Sequence, residues 1–179
     1  MTTIVKLARN LQRRVDEWNK LLGFWNSLLP RICARALNEH RAAIEAGDEV
    51  LLCVAIRLCE QFQLDPPDWL RDAGYKAYCA GPSNTKGKYG AKAKALRLFD
   101  ALSTYWTYQT IRQLHTEKQV AYPSSSNAME VTARVLGLSE GAIDKRIQRA
   151  RRFTAKGQAG AFSVPRQNIL DELPREFRY

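Results

Sequence analysis

The chain reads as all-α, a helical N-terminal bundle followed by a C-terminal helix-turn-helix. Three observations predict this. Apolar residues recur every three or four positions along most of the chain, and no segment alternates apolar and polar residues with period two. Short runs rich in Pro, Gly, Ser and Asp separate the periodic stretches.

Taken in order, Ile4, Leu7, Leu11, Val15, Trp18, Leu22 and Trp25 form one helical stripe. The stripe predicts a long first helix that ends near Pro30, because proline lacks an N–H and its ring crowds the preceding turn. Trp18 and Trp25 are expected to pack inside the protein or across a dimer. A second helix is expected from Arg31 to Ala46, stopped by Gly47. Asp48 is placed to cap a third, DEVLLCVAIRLCEQFQL, which is apolar on most sides and is therefore the expected central helix. Asp65-Pro66-Pro67-Asp68 breaks the chain and opens a short fourth helix from Trp69 to Tyr78. A fifth, from Ala91 to Glu117, starts basic and turns aromatic; its Phe99, Tyr105, Trp106 and Tyr108 are expected in the core and at an interface.

These elements divide the chain into four parts. Residues 1–80 are a helical part for oligomerisation or partner binding. Residues 81–90, GPSNTKGKYG, are a basic flexible loop. Residues 91–153 hold the long helix and the helix-turn-helix. The tail, 154–179, is expected to be partly flexible and could dock on a partner through Phe162, Ile169, Leu170, Leu173 and Phe177.

A chain of 179 residues can bury a substantial core, and 45% hydrophobic with 26% charged residues is ordinary for a globular protein. The formal charge of +10 and a pI near 9.7 are not ordinary. They favour a polyanionic partner, nucleic acid before an anionic membrane surface. No apolar run reaches the ~18 residues a membrane span needs, and charges interrupt the N-terminal MTTIVKLARNLQRRVDEW, unlike a signal peptide. The expected location is cytoplasmic. Cys33, Cys53 and Cys59 lie among apolar residues, the setting of buried reduced thiols.

An enzyme is not indicated. Cys53 and Cys59 are six residues apart, about 240° around a helix, and do not converge on a metal. His40 and His115 are remote from each other and read as exposed helix residues. Asp65, Asp68 and Asp72 cluster where a helix begins, which capping and the helix dipole explain. The loop from Gly81 to Lys88 fails as a phosphate-binding loop, because Tyr89 follows Lys88 where a metal-binding Ser or Thr belongs. No catalytic residue, metal or cofactor is expected.

The segment with functional content is Asn127 to Phe153, NAMEVTARVLGLSEGAIDKRIQRARRF. Asn127 or Ser126 can cap its first helix. Ala133 is small where two helices cross, Gly137 stands where the chain leaves the first helix, Leu138 plugs the turn, and Ser139 can cap the second. Ile143, Ile147 and Ala150 give that second helix one apolar face.

The stretch Leu136-Gly137-Leu138-Ser139-Glu140-Gly141, with Ile143 and the closing Arg149-Ala150-Arg151-Arg152, resembles the C-terminal promoter-reading module of the extracytoplasmic-function sigma factors. The resemblance covers residues 127–153. It implies a helix-turn-helix whose second helix contacts double-stranded DNA. Nothing upstream resembles that family's polymerase-binding and −10-melting module, so sigma activity is not implied. Asp144 stands where the family often has a basic or polar residue.

By face, Ser139, Glu140, Lys145, Gln148, Arg149 and Arg152 are the expected groove-facing residues. Arg146 borders the buried stripe and is expected to lay its stem on the core while its head pairs with an acid or a phosphate. Thr132 and Arg134 could touch the DNA backbone. A second basic element, Lys86, Lys88 and Lys92 with Lys94 and Arg97, could hold phosphates or serve simply as a solvated loop. The expected protein is a dimeric DNA-binding regulator of mobile-element or phage type, with no membrane partner. The alternatives are an assembly or packaging subunit with little sequence preference, and a protein-binding inhibitor or adaptor using a basic face. An ordinary helical hairpin with solvated arginines also fits the spacing.

Overall fold

The computed structural model of the chain describes residues 2–79, 89–116 and 127–155, and every regular element among them is a helix. None of these helices is long and apolar enough to cross a membrane. The expected loop at 81–90 and the tail fall almost wholly outside the described residues.

The first helix, α1, spans Thr2–Glu39 and runs straight through Pro30. This corrects the expected break. An interior proline costs about 3 kcal/mol, but burying one Leu or Ile side chain contributes about 1.5–3 kcal/mol. Leu28, Leu29, Ile32 and Leu37 lie on either side of Pro30, each no more than 2% exposed. Packing therefore outweighs the lost hydrogen bond. The expected second helix shrinks to α2, Arg41–Glu45, and the chain turns back through Gly47, whose φ of 100° suits glycine.

Asp48 caps α3, Glu49–Phe62, with its Oδ1 accepting from the Leu51 N–H at 2.9 Å. Leu51, Leu52, Val54, Ala55, Leu58 and Cys59 are buried along it. It ends on Gln63, a non-glycine residue at φ 53°. The fourth helix, α4, spans Asp68–Cys79, and Arg41 of α2 lies over the Trp69 ring at 5.6 Å.

The central place belongs to α5, Tyr89–Thr116, rather than to α3. It packs on α3 at one side and on the last two helices, α6 (Ala128–Leu136) and α7 (Glu140–Thr154), at the other. Its buried residues include Ser103, Thr104, Thr107 and Thr110. Three of these hydroxyls donate back along their own helix, Ser103 to Asp100 O, Thr107 to Ser103 O and Thr110 to Trp106 O, at 3.0–3.2 Å. Short, internally satisfied side chains let neighbouring helices approach from both sides. Hydropathy alone underrates such a helix. Of its aromatics, Trp106 is 2% exposed, while Phe99, Tyr105 and Tyr108 are half-buried against the core.

One hydrophobic cluster runs through α1, α3, α5, α6 and α7, from Trp25 and Leu29 to Leu58, Trp106, Val131 and Ala150. A smaller one, Ala133, Ile143 and Ile147, lies between α6 and α7 and is closed by Leu136, Leu138, Met129 and the two half-buried tyrosines. The N-terminal and C-terminal helices thus share a core.

Two backbone positions make opposite predictions. At Gly137, φ is 62° and an added Cβ meets nothing within 4 Å, so Gly137→Ala adds backbone strain alone. That is worth about 1 kcal/mol and should lower Tm by about 2–4 °C. At the exposed Gln63, Gln63→Gly should raise Tm by a smaller amount, because glycine relieves the strain but loses more freedom on folding. Thermal unfolding followed by circular dichroism tests both; a Tm unchanged in either variant contradicts the corresponding assignment.

Candidate nucleic-acid interface

The pair α6–α7 is built by its caps. Asn127 Oδ1 accepts from the N–H groups of Met129 and Glu130 at 2.9 and 3.0 Å, satisfying two of the four orphan donors at the start of α6. At the other end Gly137 takes the left-handed conformation, and the Leu138 N–H reaches back to Ala133 O at 2.9 Å. Leu138 then packs under the turn. The Ser139 hydroxyl accepts from the Ala142 N–H at 3.3 Å and starts α7. These are the positions at which the sequence signals a turn.

The caps and the spacing of Ile143, Ile147 and Ala150 fix how α7 is rotated. Those three are buried, and the far side presents Glu140, Gly141, Lys145, Gln148, Arg149, Arg151 and Arg152 to solvent. Five cations stand on α7 against two carboxylates. The Asp144 carboxylate is half-buried and accepts from Gln148 Nε2 at 2.7 Å, which both orients that amide and occupies the acid. Ser139 lies at the rim, with its hydroxyl committed to the cap.

Arg146 lies apart from this strip. It is half-buried, and its Nη1 donates to the buried Thr104 Oγ1 at 3.2 Å. It lines a pocket of about 300 Å³ with Arg57, Glu60, Gln61, Asp100 and Leu138. In that pocket Arg57 pairs with Asp100 and Glu60, and Gln61 donates to Thr107 Oγ1 at 2.8 Å. Asp100, Thr104 and Thr107 thus form a polar line on α5 that ties it to α3 and α7 together.

One residue of α6 corrects an expected backbone contact, and a second is engaged elsewhere. Thr132 is fully buried and donates to Ala128 O at 2.6 Å, so no phosphate can reach it. Arg134 pairs with Glu130 at 3.2 Å and lies over the Trp18 ring at 4.0 Å, which holds α6 to α1.

The second basic element meets the first in part. Arg149 Nη1 donates to the backbone carbonyl of Arg97 at 3.4 Å, bringing the exposed Lys94 and Arg97 of α5 beside the C-terminal half of α7. Lys92 lies in the first turn of α5, while Lys86 and Lys88 fall outside the described residues. Sequence reasoning left Arg151 out of the strip; it is exposed, with its guanidinium 6.0 Å from the Tyr105 ring centre. The sequence signal for it is its place in the closing Arg149-Ala150-Arg151-Arg152 run.

Among the described residues no three His, Cys, Asp or Glu side chains gather as metal ligands. Burial pushes the Cys33 thiol far up, and burial with Glu60 nearby pushes Cys59 up to about 11. His40 is half-buried rather than exposed, while His115 is exposed. No protein-family model, no curated protein and no solved structure matches this chain.

The thiols give a direct check on this packing. At pH 8 the exposed Cys79 should react rapidly with an aromatic disulfide reagent, while Cys33 and Cys59 react only on unfolding. Rapid labelling of all four thiols in the native protein contradicts the buried assignments.

Proposed function

We propose that this chain is a cytoplasmic, DNA-binding helix-turn-helix protein that acts as a transcriptional regulator, with α7 as the helix that enters the major groove. One observation carries this reading. The face of α7 opposite its buried stripe holds Lys145, Gln148, Arg149 and Arg152, with Lys94 and Arg97 of α5 alongside. Guanidinium groups suit guanine edges and phosphates, and the Gln148 amide suits adenine. Gly141 leaves the N-terminal part of the strip without a side chain, so a sugar-phosphate backbone can approach closely. The formal charge of +10 adds a long-range attraction to a polyanion. Arg146 and Arg134 serve this reading indirectly, by fixing α7 and α6 on the rest of the fold.

In this reading Arg149 and Gln148 contact bases, while Lys145, Arg152, Lys94 and Arg97 neutralise phosphates. Selection of bound fragments from a random duplex pool, followed by competition against non-specific duplex, should give a preference of at least ~10³. Lys94→Ala should weaken binding to every sequence alike and lower the slope of log affinity against log salt by about 1. Arg149→Ala should cost about 1–3 kcal/mol and relax sequence choice at one position. Duplex affinity that survives the combined Arg149→Ala and Arg152→Ala change would sink the proposal. Binding without sequence preference would instead mark an assembly or packaging role.

A further inference from the structure

The pocket beside the α6–α7 turn is lined from four helices at once, and its polar groups are unevenly used. Arg57, Glu60 and Gln61 come from one face of α3, Asp100 and Ser103 from α5, Leu136 and Leu138 from the turn, and Arg146 from α7. The charges of the lining balance, two guanidinium groups against two carboxylates. The pairing does not. Arg57 is spent: its Nε and Nη2 donate to Asp100 Oδ1 and its Nη1 to Glu60 Oε2. Arg146 is half-buried and pairs with no carboxylate among the described residues; only its Nη1 is engaged, by Thr104, which leaves Nε and Nη2. Conversely, Glu60 Oε1, Asp100 Oδ2 and Gln61 Oε1 accept no hydrogen bond among the described residues. The two carboxylates meet Arg57 through their other oxygens, and Gln61 gives its amide N–H to Thr107.

We infer that this pocket binds a free α-amino acid with an apolar side chain. A simple anion would satisfy Arg146 but meet the three oxygens of α3 and α5 unfavourably, and a simple amine would do the reverse. A zwitterion satisfies both. Its carboxylate takes two parallel bonds from Nε and Nη2 of Arg146, the fork geometry that suits a planar anion. Its ammonium carries three N–H donors for the oxygens of Glu60, Asp100 and Gln61. Its side chain lies on Leu136 and Leu138, both half-buried. Net charge agrees as well, because a neutral ligand in a neutral lining leaves no uncompensated charge out of water. So does size: about 300 Å³ is the small end of ligand pockets, which run ~300–1,000 Å³. The bound molecule joins α3 and α5 to α7, the same three helices that the Asp100, Thr104 and Thr107 line already ties together. The inference rests on the pocket alone and holds whatever α7 binds.

The test titrates L-leucine into the isotope-labelled full chain, without nucleic acid, and follows it by nuclear magnetic resonance. The Nε–H signal of Arg146 and the backbone amide of Leu138 should shift and saturate, with a dissociation constant of about 1 mM or below. Leucinamide, which lacks the carboxylate, and isocaproate, which lacks the amine, should each bind at least ~10-fold more weakly, and so should glycine, which lacks the apolar side chain. Arg146→Gln should weaken L-leucine at least ~10-fold. Glu60→Gln should weaken it about 3-fold. Glu60 is exposed, so this second variant keeps its fold even if Arg146→Gln does not. No saturable shift at ~10 mM L-leucine overturns the inference. Isocaproate or leucinamide binding as tightly as L-leucine would overturn it too, since the pocket would then be a site for an anion or an amine alone. An affinity for L-leucine unchanged in both folded variants would place the ligand elsewhere and end the proposal.

Discussion

The fold depends on the close packing that α5 permits on both of its sides. Ser103, Thr104, Thr107 and Thr110 are as buried as its Trp106 and Ile111, yet none is bulky. A buried hydroxyl without a partner would cost about 1–3 kcal/mol. Here three of the four donate to the preceding turn of the helix, and Thr104 accepts from Arg146. The helix is therefore small in section and electrically quiet within, so α3 on one side and α6 and α7 on the other share a single core across it. A helix of leucines in its place would hold the two groups further apart.

The same helix determines what α7 shows to solvent. Thr104 holds Arg146 inward, while Ile143, Ile147 and Ala150 seat the rest of that face. The remaining cations have one direction left to point, outward. The Asp144–Gln148 hydrogen bond holds that carboxylate in place, and the N-terminal part of α5 adds two cations to the strip. The basic surface is thus assembled from two helices that meet where Arg149 donates to the Arg97 carbonyl, 52 residues apart in the chain.

Local chemistry was the most legible part of the sequence. Asp48, Asn127, Gly137 and Ser139 act where their side chains or missing side chain allow, because caps and left-handed turns are settled within a few residues. The apolar period of α3, α6 and α7 was equally plain. What local rules could not reveal was decided by packing between distant segments. Pro30 stays helical because the leucines around it are buried, and Thr132 is inside with its hydroxyl satisfied by Ala128 O of its own helix. Arg134 went to Trp18, more than a hundred residues earlier, and no spacing within the motif hinted at that. At the candidate site, the face of α7 followed from its period, whereas the meeting of Arg149 with Arg97 required the fold.

The unbroken course of α1 has a mechanical consequence. Between Leu7 and Trp18 the helix is unbroken, so the exposed row Leu7, Leu11 and Val15 and the buried anchor at Trp18 turn as one shaft. Adding one residue between Val15 and Trp18 would advance the row by 1.5 Å and swing it through 100°. The face would come back near its starting azimuth only after about seven residues, two full turns, and by then it would stand some 10 Å further out. The segment is consequently intolerant of small changes in length even though its surface is wet and its side chains are free of the core. Loops can absorb an extra residue; this rod converts each one into rotation.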